Sequence, residues 1–389
     1  MSKQRQRTGQ YVSQPGGYRA FVPTGLPPSP PIQFDPEMMA LLSKADRALG
    51  RLDGATELLP NPELFVYMYV RKEAVLSSQI EGTQASLMDV LEFEAQALKP
   101  GRPQDVPEVV NYVAAMNYGL ERLQELPLSL RLLREIHAKL LEGVRGGERN
   151  PGEFRRTQNW IGAPGAGGLA AASFVPPPPH EMLAALNNLE KFFHDTSPLP
   201  MLIKVGLIHS QFETIHPFLD GNGRMGRLLI TFLLCKEGIL QRPLLYLSHY
   251  FKEHRTEYYE RLQATREQGD LEGWLKFFLG GVYEVAQEAT ATARKIVQMR
   301  EEHRHLIAAS LGRSAGKGLT LLEALYFRPI ISIEVAKEIT KTAYSNANKL
   351  VEQFIGLGLL AETTGRKRHR RFVYEPYLAL FRNGVDVEL

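Results

Sequence analysis

The stretch His216–Arg227 reads HPFLDGNGRMGR, and it leads directly into the apolar run Leu228–Leu234. Its glycines leave the backbone free for unusual dihedral angles and for close approach by a ligand. A helix that begins at this point turns several unpaired N–H groups, and the positive end of its dipole, toward one spot. The stretch therefore predicts a phosphate-binding turn at the start of a helix.

Four side chains in this stretch add chemistry to the turn. Arg224 and Arg227 are three residues apart on one helix face and can hold neighbouring phosphates. Asp220 is an oxygen ligand suited to Mg²⁺, and His216 can take a proton from an incoming hydroxyl. Taken singly, each residue has an ordinary explanation: a helix N-cap at Asp220 or Asn222, a solvated arginine face, a structural histidine. Their combination favours a nucleotide site.

The stretch resembles the signature of the Fic family, His-x-Phe-x-Asp/Glu-Gly-Asn-Gly-Arg-x-x-Arg, and matches it at every specified position. The resemblance implies that His216 deprotonates a target hydroxyl and that Asp220 binds Mg²⁺. It also implies that Arg224 and Arg227 hold the β- and γ-phosphates, and that Asn222 forms the anion hole with the loop amides. The implied nucleotide-binding residues of the loop are Gly221, Asn222, Gly223, Arg224, Met225, Gly226 and Arg227.

The function that this resemblance implies is protein adenylylation. AMP would move from ATP, with Mg²⁺, to a serine, threonine or tyrosine hydroxyl of a target protein or of the chain itself, and pyrophosphate would leave. One alternative is a DNA-binding transcriptional regulator whose Fic domain only senses a nucleotide. Another keeps the fold but transfers phosphate or a different nucleotide. The intact pair of His216 and Asp220 favours the enzyme, since a sensor needs no base.

A second motif, Ser77-x-x-x-Glu81-Gly82, resembles the inhibitory motif of the family, Ser/Thr-x-x-x-Glu-Gly/Asn, in the arrangement where the inhibitory helix precedes the core. The resemblance implies that Glu81 pairs with Arg227. This arginine then cannot hold the γ-phosphate, and ATP binds unproductively. The alternatives are that Glu81 is an ordinary exposed residue near a helix end, or that it positions water for removal of AMP.

Two segments, Gly152–Arg155 and Phe174–Pro177, resemble the two sides of the family's target-binding flap. We expect short strands at 157–161 and 173–175, joined by a loose Gly- and Ala-rich tip into a hairpin. A hairpin beside the site can pair edge-on with an extended target segment; a surface loop without a role is the alternative. The predicted target-binding residues are Thr157, Gln158, Asn159, Trp160, Ile161, Phe174 and Val175.

The adenine base needs an apolar or aromatic slot, and the family builds it on the segment that here contains Tyr250, His254 and Tyr258. We predict that these three residues contact the base, although aromatic residues on helices are more often core. Relatives often carry an asparagine near the start of this helix or one turn after its Tyr-Tyr pair. This chain has His254 and Arg266 at those places, which leaves the base preference open.

The predicted fold class is mainly α: a Fic helical core with a β-hairpin flap, plus a C-terminal winged helix-turn-helix domain. We expect an extended, Pro-rich N-terminal arm over residues 1–35 and a helical N-terminal region with the inhibitory helix over 36–106. The Fic catalytic core is expected over 107–310, and the winged-helix domain over 311–389, where the composition shifts.

Three short helices followed by two strands around the basic turn 365–370 predict the winged helix. DNA is therefore an expected partner through this domain; a solvated turn, or a scaffold for dimerisation or target choice, is the alternative. The helix expected to enter a DNA groove carries Lys341, Tyr344, Asn346, Asn348 and Lys349.

Composition limits the remaining possibilities. The chain has 389 residues, a net charge of +3 and one cysteine, Cys235. A single cysteine excludes a disulfide within the chain, and the small net charge means that DNA contact must come from a local patch. The polar N-terminus shows no signal peptide, so we expect a cytoplasmic protein without membrane contact, with target proteins and a second copy of the chain as partners.

Overall fold

The computed structural model describes residues 7–57, 62–95, 103–162, 169, 172–365 and 369–382. It is mainly helical, which confirms the predicted fold class. The helices are α1 Pro36–Glu57, α2 Pro62–Ile80, α3 Leu87–Glu94, α4 Val106–Arg122, α5 Leu130–Leu140, α6 Pro179–Phe193, α7 Met201–Ile215, α8 Asn222–Lys236, α9 Ser248–Glu253, α10 Arg255–Glu267, α11 Leu271–Ser310, α12 Ala315–Leu325, α13 Ile333–Thr340, α14 Tyr344–Gly356 and α15 Glu375–Ala379. The strands are β1 Gly9–Ser13, β2 Arg19–Pro23, β3 Ile330–Ile331, β4 Ala361–Glu362 and β5 Phe372–Val373.

Helices α7 and α8 form the centre of the molecule. Every residue of α7 after Met201 is buried, and α8 is buried without a break from Arg224 to Leu234. A helix that is enclosed on all sides belongs to the interior of a large core. The 40-residue helix α11 packs along α1 and also contacts α7. The loop between α7 and α8 is therefore anchored at both ends by buried helices.

No helix within the described ranges combines the length and the apolar character that crossing a membrane would require.

Gly82 and Ser86 mark the end of α2 and the beginning of α3. Gly82 follows α2 with a φ of 97°, a left-handed conformation that stops the helix. Helix α3 begins with a capping box, in which Ser86 Oγ accepts the N–H of Asp89 and the Asp89 carboxylate accepts the N–H of Ser86. Glu81, between the two helices, thus stands at a well-defined place.

The N-terminal segment is not the extended arm that its composition predicted. Strands β1 and β2 form an antiparallel hairpin in which Tyr11 lies opposite Phe21. Arg7 donates two 2.9 Å hydrogen bonds to the carboxylate of Glu272 at the start of α11, which fixes the hairpin to the body. The many prolines and glycines suggested an extended chain, but two of the glycines form the turn between short runs of strand-forming residues.

The flap is less regular than the predicted hairpin. Its two sides share one bridge in the described part of the chain, Ile161 with Phe174, instead of two strands at 157–161 and 173–175. The first side is otherwise irregular, and a side chain supplements this backbone bridge: Gln158 Nε2 donates to the carbonyl of Pro176 on the second side at 2.9 Å. The predicted flap tip falls mostly on residues 163–168, 170 and 171, which lie outside the described residues.

The C-terminal module contains α12, α13 and α14 and an antiparallel sheet with the strand order β3–β5–β4. The sequence did not predict β3, because a strand of two residues is too short to show a period. Asn348 accepts a 2.8 Å hydrogen bond from Arg370, so its side chain is engaged within the module. DNA binding stays a prediction, and residues 366–368 of the basic turn lie outside the described residues. The exposed members of the predicted DNA-contacting set are Lys341, Tyr344, Asn346 and Lys349.

Gly119 on α4 faces α8, and a substitution there measures how closely the two helices pack. A Cβ at this position would lie 2.4 Å from the ring of Phe232 on α8. Gly119→Ala should therefore lower the free energy of unfolding by about 1–3 kcal/mol, since overpacking outweighs the gain in helix propensity. Gly50→Ala on α1 is the control: an added Cβ there meets no described atom within 4 Å, and the change should stabilise by about 0.5–1 kcal/mol. Thermal unfolding of both variants measures the difference, and equal effects would contradict the packing argument.

Candidate active site

The predicted phosphate-binding turn connects α7 to α8. His216 ends α7 in the left-handed region, with a φ of 49°, and Pro217 prevents the helix from continuing. Gly221 precedes α8 with a φ of 73°, a conformation that glycine adopts without strain. The chain thus reverses sharply between two buried helices and places His216 beside the start of α8.

Arg155 ties this loop to both sides of the flap. Its Nε donates to the carbonyl of His216 at 2.9 Å, and its other nitrogens donate to the carbonyls of Thr157 at 3.3 Å and Pro177 at 2.5 Å. Burial lowers the pKa of Arg155 to about 10, so the side chain stays charged at neutral pH. The sequence analysis missed this role, because an arginine in an irregular segment has no pattern that marks it as buried.

His137 and Asn159 hold the middle of the loop. Nδ1 of His137 accepts the N–H of Gly152 at 2.9 Å, so the proton lies on Nε2, which donates to the carbonyl of Asp220 at 3.0 Å. The His137 ring stacks on Phe218 with centroids 3.7 Å apart, and Asn159 Nδ2 donates to the carbonyl of Phe218 at 2.9 Å. Burial lowers the pKa of His137 to about 4 and keeps the ring neutral. The sequence offered only one signal for His137, a histidine on the apolar face of α5.

Asn222 differs from its implied place in the anion hole. Its side-chain oxygen accepts the N–H of Phe218 at 2.8 Å, and its side-chain nitrogen donates to the carbonyl of Phe218 at 2.9 Å. The residue is buried, so this side chain closes the loop from within. Only the backbone N–H of Asn222 remains for an anion.

The first turn of α8 provides the predicted amides. The N–H groups of Asn222, Gly223 and Arg224 have no acceptor among the described residues, as expected at a helix start. The Glu81 carboxylate lies against this turn: a Cβ built on Gly223 would stand 2.1 Å from Glu81 Oε1. A side chain at position 223 would therefore have to displace the Glu81 carboxylate, which stands where a bound anion would lie.

Arg227 makes the contact with Glu81 that the inhibitory motif implied. Nη2 of Arg227 lies 2.7 Å from Glu81 Oε1 and 2.9 Å from the carbonyl of Ser77, and Nε donates to Ser77 Oγ at 2.8 Å. The Arg227 side chain is 2% exposed and that of Glu81 is 34% exposed. Burial tends to raise the pKa of Glu81, but the charge of Arg227 outweighs burial and the pKa lies below its usual value.

Arg224 and Asp220 lie on the other side of the turn. Arg224 Nη1 is 3.3 Å from Glu108 Oε2, and its Nη2 is 3.6 Å from Asp220 Oδ1. Arg149 Nη1 stands 3.9 Å from Asp220 Oδ2, and the Asp220 side chain is 29% exposed. A partly exposed carboxylate beside arginines fits Mg²⁺, which nucleotide sites usually hold by one or two carboxylates and the phosphates. Asp220 is the residue that would hold the ion.

His216 is held as a neutral imidazole. Burial, followed by the positive charges of Arg266 and Arg155, lowers its pKa to about 4. Its Nδ1 is buried and has no hydrogen-bond partner among the described residues. An unprotonated ring nitrogen is what proton abstraction requires, so the side chain is in the correct protonation state for a base at neutral pH.

Three residues predicted to bind the nucleotide lie in the core instead. The Met225 side chain is fully buried, and the carbonyl of Gly226 accepts the Nδ1–H of His209 at 3.0 Å. Tyr258 is also buried and donates its hydroxyl to Nε2 of the same histidine at 2.9 Å. These contacts point into the core, and a helical residue shows the same spacing whether it faces the core or a ligand, so nucleotide binding by these three residues stays a prediction.

Tyr250 and His254 contact α11 and each other. The two rings lie 4.4 Å apart, and the Tyr250 ring packs 5.0 Å from Phe277. A Cβ built on Gly281 would lie 2.5 Å from Tyr250, which shows how tightly this ring is seated on α11. These contacts do not bring Tyr250 or His254 to the phosphate-binding turn.

Tyr259 is the exposed member of the Tyr-Tyr pair of α10, and it is 42% exposed. Burial of part of its ring raises the pKa of Tyr259, and the next influences on that pKa are the charges of Glu81 and Arg227. The sequence analysis gave the base-binding role to Tyr258 in the same Tyr-Tyr pair, since the pattern alone cannot show which neighbour faces outward.

The flap and α10 meet at Arg266. The Arg266 guanidinium lies 3.8 Å from the centre of the Phe174 ring, and its Nη2 donates to the carbonyl of Glu213 at 3.2 Å. This side chain therefore joins the second side of the flap to the end of α7, next to His216. Trp160, on the first side, is 45% exposed.

The comparisons with known families match this architecture. The model of the Fic/DOC family N-terminal region matches residues 39–121, and the Fic/DOC family model matches residues 127–234, which include the phosphate-binding turn.

Curated relatives and solved structures agree with the family match. The chain is 30% identical over 249 residues to the protein adenylyltransferase Fic of Drosophila willistoni, which covers 63% of this chain and 46% of that protein. It is 31% identical over 173 residues to the corresponding Drosophila grimshawi protein, covering 44% of this chain and 32% of that protein. The chain thus spans only about a third to a half of these relatives.

Two solved structures share the fold. A Fic family protein from Desulfovibrio desulfuricans has a TM-score of 0.58 at 20% identity, covering 88% of this chain and 97% of that one. Fic-1 from C. elegans, residues 134–508, has a TM-score of 0.50 at 21% identity, covering 68% of this chain and 75% of that one.

The buried histidines predict how stability depends on pH. The pKa values of His137, His209 and His216 are lowered to about 4, 3 and 4, chiefly by burial. Below about pH 6.5 these histidines bind protons in the unfolded chain but not in the folded chain. The free energy of unfolding therefore falls as the pH drops from about 6.5 toward 4. His209→Gln should show a shallower decline. The control, His180→Gln at an exposed position, should keep the slope of the parent chain in chemical denaturation; a His209→Gln slope equal to that of the parent would contradict the assignment.

Proposed function

Because the chain belongs to the Fic/DOC family, we propose that it is a protein adenylyltransferase that moves AMP from ATP to a hydroxyl side chain of a target protein and of the chain itself. This proposal rests on three features that lie together at the start of α8: the neutral imidazole of His216, the unbonded N–H groups of the first helical turn, and the buried guanidinium groups of Arg224 and Arg227. A regulator that only senses a nucleotide would have no use for an unprotonated imidazole at this place.

In the proposed reaction His216 takes the proton of the target hydroxyl. The hydroxyl oxygen attacks the α-phosphorus of ATP, the bond from that phosphorus to the bridging oxygen breaks, and pyrophosphate leaves. Arg155 and His137 fix the loop that carries His216 before any target arrives. Such positioning contributes much of the rate in reactions that need an aligned attack.

The start of α8 stabilises the charge that develops in this reaction. The amides of Asn222 and Gly223 bind the oxygens of the transferred phosphate, and Arg224 and Arg227 hold the other two phosphates. Asp220 would hold Mg²⁺, which supplies positive charge to the triphosphate when bound.

The flap presents the target. An extended target segment pairs with its backbone beside His216, and the exposed ring of Trp160 provides an apolar contact. Serine, threonine and tyrosine all satisfy such a site, because backbone pairing aligns a segment without reading most of its side chains.

Glu81 is a brake in this proposal. Its carboxylate neutralises Arg227 and lies over Gly223, so it excludes the phosphate that both groups would otherwise bind. The chain is therefore autoinhibited until Glu81 leaves this position.

Labelled ATP tests the reaction itself. Incubation of the Glu81→Gly chain with ATP labelled at the α-phosphate should leave label on protein, whereas ATP labelled at the γ-phosphate should leave none, because pyrophosphate departs. His216→Ala should abolish the α-label while retaining ATP binding. Label from the γ-position would make the chain a kinase, and absence of label from either position would favour the nucleotide sensor.

The brake is tested by the rate of AMP transfer. Glu81→Gly should raise self-modification by about tenfold or more, which corresponds to about 1.4 kcal/mol of lost inhibition. Glu257→Gln is the matched control, since Glu257 pairs with Arg261 on the exposed face of α10, and it should leave the rate unchanged. If Glu81→Gly left the rate unchanged while ATP still bound, inhibition by Glu81 would be ruled out.

A further inference from the structure

The N-terminal hairpin binds the flap as an extended target segment would. The N–H of Phe21 on β2 donates to the carbonyl of Val175 on the second side of the flap, at 2.9 Å. The Phe21 ring lies 6.2 Å from the ring of Phe174. Backbone pairing of this kind, supported by an adjacent apolar contact, is the usual way in which an added strand binds a sheet edge.

The hairpin is a permanent part of the molecule. Besides the paired hydrogen bonds from Arg7 to Glu272, Thr8 Oγ1 donates to the carbonyl of Thr265 at 2.7 Å. At the same open end, just after β2, the carbonyl of Thr24 accepts a 2.8 Å hydrogen bond from Gln211 on α7. The open ends of both strands are therefore fastened to the body, and only the turn between them is free to move.

The turn of the hairpin carries Tyr18 to the side of the flap that adjoins His216. Gly16 and Gly17 are exposed and left-handed, with φ values of 101° and 81°. The Tyr18 hydroxyl lies 3.5 Å from Gln158 Oε1, the outer limit of a hydrogen bond. The next residue, Asn159, donates to the carbonyl of His216 at 3.2 Å.

The guanidinium group of Arg155 also links Tyr18 to the loop that carries His216. The Tyr18 phenol interacts electrostatically with Arg155, whose Nε binds the carbonyl of His216. Tyr18 thus lies next to Gln158 and Arg155, and both Arg155 and Asn159, the neighbour of Gln158, donate to the backbone carbonyl of His216.

We propose that Tyr18 is the chain's own acceptor, modified with AMP in the same molecule; this proposal rests on the adenylyltransferase function. His216 takes the proton from Tyr18 Oη, the oxygen forms a bond to the α-phosphorus of ATP, and the bond to the departing pyrophosphate breaks. The flexible turn allows Tyr18 to move a short distance while β1 and β2 stay in place.

Another hydroxyl group of the flap is already engaged, since Ser173 Oγ donates to the carbonyl of Ile161 at 2.9 Å. Tyr11 lies on the same hairpin, but on β1 beside Arg266, where burial raises the pKa of its hydroxyl. Tyr11 is therefore the matched control for Tyr18.

The test compares Tyr18→Phe with Tyr11→Phe, each in the Glu81→Gly background, after incubation with ATP and Mg²⁺. Intact-mass measurement should show one AMP group on the parent and on the Tyr11→Phe chain, and loss of most of it in the Tyr18→Phe chain. Peptide mapping should place the AMP on Tyr18. The labelled fraction at a given time should not change when the protein is diluted, because the reaction occurs within one molecule.

Pyrophosphate release and label on protein separate this proposal from the function on which it rests. AMP on other residues, with Tyr18 unmodified, would overturn the assignment of Tyr18 and leave the adenylyltransferase intact. A rate that rises in proportion to protein concentration would overturn modification within one molecule. Absence of AMP on every residue, without pyrophosphate release, would overturn both proposals.

Discussion

A buried guanidinium group needs an anion beside it, and this requirement organises the site. Arg227 is almost completely enclosed by the core, and an unpaired charge in that position would cost several kcal/mol, by order of magnitude. Ser77 and Glu81 supply two acceptors and a negative charge. Helix α2 is therefore fastened to α8 through the same group that, in the proposed reaction, would hold a phosphate.

The second constraint is the polarity of the loop before α8. Its backbone carbonyl groups accept hydrogen bonds from the side chains of Arg155, His137, Asn159 and Asn222. An anion-binding turn works only when the carbonyl oxygens point away from the ligand and the N–H groups point toward it. The four side chains produce that orientation. This explains why three of them come from other segments of the chain: the loop cannot satisfy its own carbonyls and still leave its amides free.

The sequence predicted the helical class and the turn because each has a local pattern: helical periodicity, and glycines before an apolar run. The partner of Arg227 was implied by the resemblance of the Ser77–Gly82 motif to a family motif. Local patterns failed where the structure depends on other distant contacts. Arg155 and His137 show no local sign of their role, since their partners lie far away in the chain. The N-terminal hairpin was missed because proline and glycine content dominated the composition. Tyr258 was chosen over Tyr259 because neighbouring aromatic residues on a helix differ only in the direction they face.

The two members of the Arg227–Glu81 pair differ in exposure, and the difference decides which of them can leave. Arg227 stays in place because the core encloses it and Ser77 binds it twice. Helix α2 is also held near its middle, where Tyr69 packs 5.5 Å from Phe381 of the C-terminal module. Glu81 follows the last residue of α2, is partly exposed to solvent and holds the pair from the outer side. A rotation of this one side chain uncovers both Arg227 and the amides of α8, so an incoming triphosphate has to displace a carboxylate and not a helix.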